Sequence, residues 1–150
     1  MKEDLFAYMD AINGRLTKAA SNIWQNPEKA LEEVYACDLQ IAMLEKAGFK
    51  INRNIPGMST AFVAEFGQGS PVLGVLGEYD ALPGLSQQVS GSYNPIKEQE
   101  NGHGCGHNLL GVAGIGAVLA IRELLEQDGF NGTVRYYGCP AEETLTGKVI

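Results

Sequence analysis

The sequence predicts an α/β protein in which a mixed, mainly parallel sheet is flanked by helices. Apolar residues recur every three or four positions up to residue 48, and short apolar runs typical of strands follow. Later, a strand at 72–77, a helix from 108 to about 127 and a strand at 133–138 form a crossover unit, whose two strands are parallel. A chain of 150 residues is of one-domain size and can bury a core.

The first third of the chain predicts two amphipathic helices. Over residues 4–24 one apolar stripe consists of Leu5, Met9, Ile12, Leu16, Ala19 and Ile23. Asn26 and Pro27 then supply a cap and a first-turn proline for a second helix, which ends at Gly48. The second stripe consists of Leu31, Val34, Cys37, Ile41 and Leu44. Because Cys37 lies on this stripe, we interpret it as a small core residue.

Strand-like runs and one long loop follow. Residues 49–55 and 60–66 are predicted as strands separated by a Pro-Gly turn. The run at 72–77 is apolar without alternation, which is typical of a central strand covered on both faces. Residues 81–106 are rich in Gly, Ser, Asn, Gln and Pro, and loops of this length are usually either functional or disordered. This loop ends in a stretch suited to metal binding, which favours a functional loop.

Composition excludes several classes of partner. A net charge of −7 argues against nucleic acid, because no basic stripe is present. The acidic N-terminus lacks the apolar core of a secretory signal, and the apolar run at 109–121 is too short to span a bilayer. Three cysteines without a Cys-x-x-Cys pair fit a reducing compartment. We therefore expect a cytoplasmic protein without a membrane or nucleic-acid partner.

Residues 101–108, here called the metal stretch, contain both histidines and one of the three cysteines. Glycines separate them and allow the backbone to turn tightly. Thiolate and neutral imidazole are good ligands for borderline-soft divalent metals, and Cys105 and His107 lie just before an apolar helix. The stretch therefore predicts a metal site, although a glycine-rich turn with an incidental thiol is the simpler interpretation.

Carboxylates follow both strands of the crossover unit. Glu78 and Asp80 leave the strand at 72–77, and Glu142 and Glu143 leave the strand at 133–138. Taken alone, Asp80 is equally compatible with a turn-forming aspartate, and two adjacent glutamates are usually part of a solvated turn. Because ligands gather at the carboxyl ends of parallel strands, we expect all four to meet the metal stretch. Two adjacent glutamates can divide the work, one as a metal ligand and the other as a general base.

Three motifs, in this order and spacing, resemble the dinuclear metallopeptidases and amidohydrolases of peptidase family M20: Glu78-Tyr79-Asp80-Ala81-Leu82-Pro83, Gly104-Cys105-Gly106-His107-Asn108 and Pro140-Ala141-Glu142-Glu143. They are most similar to its branch of aminobenzoyl-glutamate, indole-acetyl-amino-acid and hippurate hydrolases and N-acyl-amino-acid amidohydrolases. Asn26-Pro27-Glu28, followed by Glu32-Glu33, is similar to the start of that family's catalytic domain. The resemblance implies a zinc-peptidase-like α/β domain, with residues 1–150 as its N-terminal part and the lid or dimerisation domain outside this chain.

The resemblance also implies a chemistry: hydrolysis of an amide or peptide bond in a small N-acyl amino acid or dipeptide, with two divalent metal ions, zinc or manganese. The implied metal ligands are Cys105 in the bridging position, His107 and Glu143. Glu142 matches the general base and Asp80 an aspartate that supports the site. Glu78 lies where other branches carry a histidine ligand, so its role is left open. Asn108, where much of the branch has aspartate, favours the aminobenzoyl-glutamate hydrolase subgroup.

Three ligands are too few to complete the coordination spheres of two metal ions, so we expect further ligands beyond residue 150. The chain ends at 146–150 without a closing helix or strand, and we expect it to be truncated and inactive in isolation. The family resemblance allows a homodimer through a region outside this chain. The alternatives are a non-catalytic metal-binding or partner-binding fragment and a nucleotide-binding fold, which lacks its phosphate-loop sequence here.

Overall fold

The computed structural model describes residues 2–127 and 131–145, which form four helices and one four-stranded sheet. The predicted open end at 146–150 lies outside the described residues. In chain order the elements are α1 (Lys2–Gln25), α2 (Val34–Lys46), β1 (Lys50–Asn52), β2 (Phe62–Gln68), β3 (Val72–Glu78), α3 (His107–Gln127), β4 (Gly132–Cys139) and α4 (Glu142–Leu145).

The sheet has the strand order β1-β2-β4-β3. β3 and β4 are parallel, which confirms the crossover unit, whereas β1 pairs with β2 and β2 with β4 in antiparallel orientation. The turn between β2 and β3 reverses the chain, so β4, being parallel to β3, must run antiparallel to β2. The α/β class with helices flanking a mixed sheet is confirmed. The sheet is not mainly parallel among the described residues, because only the pairing of β3 with β4 is parallel.

The prediction that 72–77 is a central strand is wrong for the part of the chain that the structure describes. β3 lies at the edge of the sheet, and Val72, Leu73 and Leu76 are 51%, 48% and 51% exposed. The glycines and aliphatic residues of β3 make its sequence apolar, but an apolar sequence does not determine how many strands pair with it. Helix α3 packs against β3, and its Gly111 lies close to the carbonyl of Glu78 at the carboxyl end of this strand.

The second helix begins later than predicted. Residues 26–33, here called the interhelix segment, are not helical, and Leu31 has a positive φ of 64°. Asn26 does not cap α2; instead the Glu28 carboxylate accepts hydrogen bonds from the backbone N–H groups of Tyr35 and Ala36 at 2.8 and 2.9 Å. Helix α2 therefore begins at Val34. The first strand is also shorter than predicted, since β1 covers only three residues.

The core lies between the sheet and helices α1, α2 and α3. Its fully buried side chains include Ile23, Leu44, Phe62, Ile115, Leu119, Val134 and Tyr136. Cys37 is 3% exposed, which confirms its assignment to the core. By length and composition α3 could cross a membrane, but it packs against α1, β3 and β4, as a core helix does. Gly77 leaves room for the Tyr136 hydroxyl, with which a Cβ at that position would collide.

One carboxylate, Glu33, is completely buried in this core. Its Oε2 accepts a hydrogen bond from the Thr60 hydroxyl and its Oε1 from the Ala141 N–H, both at 2.8 Å. Burial raises the pKa of Glu33 above its ordinary value of 4.5, against the opposing effect of these hydrogen bonds. The folded state therefore holds this proton more tightly than the unfolded state. This contribution to stability is present below pH 4.5 and is lost as the pH rises through the raised pKa.

Replacing Glu33 with Gln should consequently stabilise the protein relative to the unchanged chain as the pH rises from about 4 to about 7. The amide carries no charge to desolvate and can still accept from the Ala141 N–H. Urea unfolding of both proteins at several pH values measures the difference in free energy of unfolding. Glu32→Gln, at an exposed neighbouring position, is the control. A Glu33→Gln difference that shrinks with rising pH would contradict the assignment.

Candidate metal centre

His107, the first residue of α3, lies at the centre of the predicted site. Its Nδ1 is 2.8 Å from Oδ1 of Asp80, and its Nε2 is 3.1 Å from Oε2 of Glu78. Glu78 is the last residue of β3 and Asp80 follows it by two positions, and all three side chains are buried. The hydrogen bond with Asp80 raises the pKa of His107, against the opposing effect of burial. Helix α3 thus begins with an imidazole held between two carboxylates.

Asp80 connects the two strand ends. While Oδ1 contacts His107, its Oδ2 accepts a hydrogen bond from the backbone N–H of Glu143 at 2.9 Å. Burial acts to raise the pKa of Asp80, but the hydrogen bonds with His107 and Glu143 outweigh it and lower the pKa. Asp80 is therefore an ionised acceptor that orients both the imidazole and the start of α4.

Two groups of potential ligand atoms meet at His107, and within each group the atoms lie within 4.8 Å of one another. One group is Cys105, His107 and Glu143, and the other is Glu78, His107 and Glu142. The structure thus brings together the predicted ligands and the predicted general base, with Asp80 behind them. It also places Glu78, whose role the sequence left open, directly beside His107. Glu78 and Asp80 are two residues apart at a strand end, a spacing that puts side chains on the same face.

The chemistry of these groups fits a divalent cation. Thiol, imidazole and carboxylate are ligand types that zinc and similar ions accept. Oε1 of Glu143 is buried and accepts no hydrogen bond from any described residue, so it is available as a ligand. Because Asp80 engages Nδ1 of His107, the imidazole is held with Nε2 toward Glu78 and Glu142, as in other carboxylate-histidine-metal arrangements.

Cys105 is exposed at the surface of this site. Desolvation raises the pKa of its thiol, and the negative charges of Glu143, Glu142 and Glu78 raise it further. A cation among these residues would offset this repulsion and favour the thiolate. Repulsion among these acidic groups therefore destabilises their ionised forms when no cation is bound, and a bound cation would stabilise them.

The long loop at 81–106 is anchored to itself next to the site. Leu82 and Gly102 form an isolated bridge with backbone hydrogen bonds of 3.0 Å in both directions. A Cβ at Gly102 would collide with the carbonyl of Leu85, so the close approach requires glycine. Both ring nitrogens of His103 are buried without hydrogen-bond partners among the described residues, and burial lowers the pKa of His103. His103 belongs to neither ligand group.

With this geometry established, comparison with known proteins gives the family. The sequence model of Peptidase family M20/M25/M40 matches residues 74–148, which include every residue of both ligand groups. The chain belongs to this family. The family resemblance of the three sequence motifs is therefore confirmed.

Members of the family include similar curated proteins. The chain is 47% identical to a p-aminobenzoyl-glutamate hydrolase of Escherichia coli, named as one subunit of that enzyme, over 97% of this chain and 31% of that protein. It is 32% identical to a Xaa-Arg dipeptidase of Mus musculus, over 94% of this chain and 32% of that protein. The chain thus spans about a third of the length of these relatives.

Solved structures agree on the fold. A Bacillus subtilis protein described as a dinuclear metal binding peptidase of the family superposes with a TM-score of 0.74 at 26% identity, over 89% of this chain and 36% of that chain. An aminobenzoyl-glutamate utilization protein from Klebsiella pneumoniae superposes with a TM-score of 0.59 at 14% identity, over 91% of this chain and 38% of that chain. The chain therefore shares its fold with a metal-binding peptidase of the family.

Proposed function

We propose that this chain supplies part of the active site of a metal-dependent amidohydrolase that cleaves an amide or peptide bond in small N-acyl amino acids or dipeptides. The observation that carries the proposal is the position of His107, which belongs to both ligand groups. With Nδ1 engaged by Asp80, His107 can bind one cation through Nε2, and a thiol and further carboxylates surround it. The Bacillus subtilis neighbour is described as dinuclear, which supports a second cation close by.

Each residue has a distinct proposed role. Cys105, His107 and Glu143 hold metal, which is zinc or manganese, and Asp80 orients His107 and Glu143. When bound there, a divalent ion would lower the pKa of water and would polarise the carbonyl of the substrate. Glu142 takes the proton of the attacking water and passes it to the nitrogen of the leaving amine. Its side chain is 25% exposed, so solvent and substrate can reach it, whereas Asp80 is fully buried.

A cleft of about 410 Å³ beside the metal stretch has room for a small acyl group. Apolar side chains line it together with polar and charged ones, among them Gln25, Lys97 and Glu100, and Gly104 on its wall directly precedes Cys105. Its apolar lining residues include Trp24, Leu85, Val89 and Ile96. The cleft supports a small-molecule substrate with an apolar or aromatic acyl part, as the name of the Escherichia coli relative would suggest.

Two wider features belong to the same proposal. The odd cysteine number supports a reducing, cytoplasmic compartment. The Escherichia coli relative is named as a subunit, which supports assembly with a second chain, either a copy of this one or a different polypeptide.

The test is a hydrolysis assay of the full-length natural protein that contains this chain. After loading with zinc or manganese, it should release the free amino acid from aminobenzoyl-glutamate, hippurate or a dipeptide, and chelation should abolish the release. Elemental analysis of the same preparation should show bound metal. Stoichiometric metal without hydrolysis of any of these compounds would instead favour a non-catalytic metal-binding protein.

A further inference from the structure

The interhelix segment contacts each of the three loops that carry site residues. The Pro27 carbonyl accepts a hydrogen bond from the Asn101 side chain at 3.2 Å, at the first residue of the metal stretch. The Glu28 carbonyl accepts one from the N–H of Ala81 at 2.8 Å, directly after Asp80. In the third contact, the Glu33 carboxylate accepts a hydrogen bond from the N–H of Ala141, the residue directly before Glu142. A segment without site residues of its own is thus joined to all three loops.

The third contact is the most specific because of the conformation of Ala141. This residue has a positive φ of 58° and is fully buried between β4 and α4. The left-handed region is unfavourable for a residue with a Cβ, so the surrounding structure must hold Ala141 in place. The Ala141 N–H donates to Oε1 of Glu33, which also fixes the direction in which the chain leaves β4.

We propose that Glu33 is a positioning residue for Glu142 and Glu143, acting through the Ala141 backbone. The inference rests on the proposed function, because the geometry that it maintains is that of the proposed general base and metal ligand. Asp80 holds the N–H of Glu143 from one side, and Glu33 holds the N–H of Ala141 from the other. The two carboxylates together fix the residues on either side of Glu142.

The role depends on the length of the Glu33 side chain and on one acceptor oxygen directed at the N–H of Ala141. Gln has the same length, and its amide oxygen can accept from Ala141 while its amide nitrogen donates to the Thr60 hydroxyl. Asp is shorter by one methylene, which withdraws its carboxylate from the N–H of Ala141. Ala removes both contacts.

The experiment compares Glu33→Ala, Glu33→Asp and Glu33→Gln in the full-length, metal-loaded enzyme. Thr60→Val is the matched control, because it removes the other partner of Glu33 and leaves the Ala141 contact. Circular dichroism and thermal unfolding show which variants fold, elemental analysis gives metal content, and kcat and KM are measured separately. Glu33→Ala and Glu33→Asp should lower kcat and metal affinity about tenfold or more, as loss of a supporting contact does, with little change in KM. Glu33→Gln and Thr60→Val should keep most of both.

A folded Glu33→Ala or Glu33→Asp variant with unchanged kcat and metal content would overturn the inference, whatever its thermal stability. Loss of kcat in Glu33→Gln equal to that in Glu33→Ala would also overturn it. Should Glu33→Ala fail to fold, the Asp variant decides alone. Absence of hydrolysis in the unchanged enzyme would refute the proposed function. If the unchanged enzyme is active and the Glu33 variants have the same kcat and metal content, only this inference is refuted.

Discussion

Replacing Glu142 with Gln in the full-length enzyme should lower kcat by about 10²- to 10⁴-fold while bound metal is retained. The amide has the shape of the carboxylate but cannot take the proton of the attacking water. Oε2 of Glu142 lies 3.7 Å from Nε2 of His107, close enough to act on a water molecule at the site. Steady-state kinetics with an N-acyl amino acid, combined with elemental analysis, separates loss of catalysis from loss of metal.

Glu143→Gln is the matched control for this experiment, since it changes the adjacent glutamate in the same way. Glu143 belongs to the ligand group with Cys105, so this variant should lose metal as well as activity. Should Glu142→Gln keep most of its kcat, Glu142 is not the general base. Should both variants lose metal equally, the proposed division of labour between the two glutamates is wrong.

Replacing His107 with Ala should weaken metal binding more than any other single change at the site, because His107 supplies the imidazole common to both groups of potential ligand atoms. Cys105→Ala, in contrast, changes a member of one group only. We expect His107→Ala to bind almost no zinc at a concentration that saturates the unchanged protein, and Cys105→Ala to bind less than the unchanged protein. Titration with zinc, followed by elemental analysis of the desalted protein, measures both.

His103→Ala is the control, because His103 is the other histidine of the metal stretch and belongs to neither ligand group. It should keep the metal content of the unchanged protein. Circular dichroism should establish that each variant is folded before its metal content is interpreted. A His107→Ala variant with full metal content, or a His103→Ala variant with none, would mean that the ligand assignment is wrong.

The sequence predicted the elements whose signals are local. Helices α1 and α3 and strand β4 follow from their periodicity, and the meeting of Asp80 with Glu143 follows from the parallel crossover alone. The position of β3 at the sheet edge could not be predicted in this way, because an apolar run does not specify which strands pair with it. The roles of the site residues stay predictions until variants are measured.

The conformation of the interhelix segment could not be predicted from the sequence for a different reason. Asn26 and Pro27 form a plausible helix start, yet the chain from 26 to 33 follows contacts made with residues far along the sequence. Glu33 and Ala141 are 108 positions apart, and Pro27 and Asn101 are 74 apart. Local propensity is a weak signal, and tertiary contacts of this kind override it. Glu28 then caps α2 from six residues before its first turn.

The carboxylate of Asp80 has a consequence for the order of events in folding. It joins His107 to Glu143, and these partners lie 27 and 63 residues further along the chain. Contacts of such long range form slowly, because the intervening chain must first lose its freedom. During synthesis the ligand groups cannot be complete until β4 has been made and has inserted between β2 and β3. Metal would therefore be captured late, and it would stabilise only those molecules in which the sheet has already assembled.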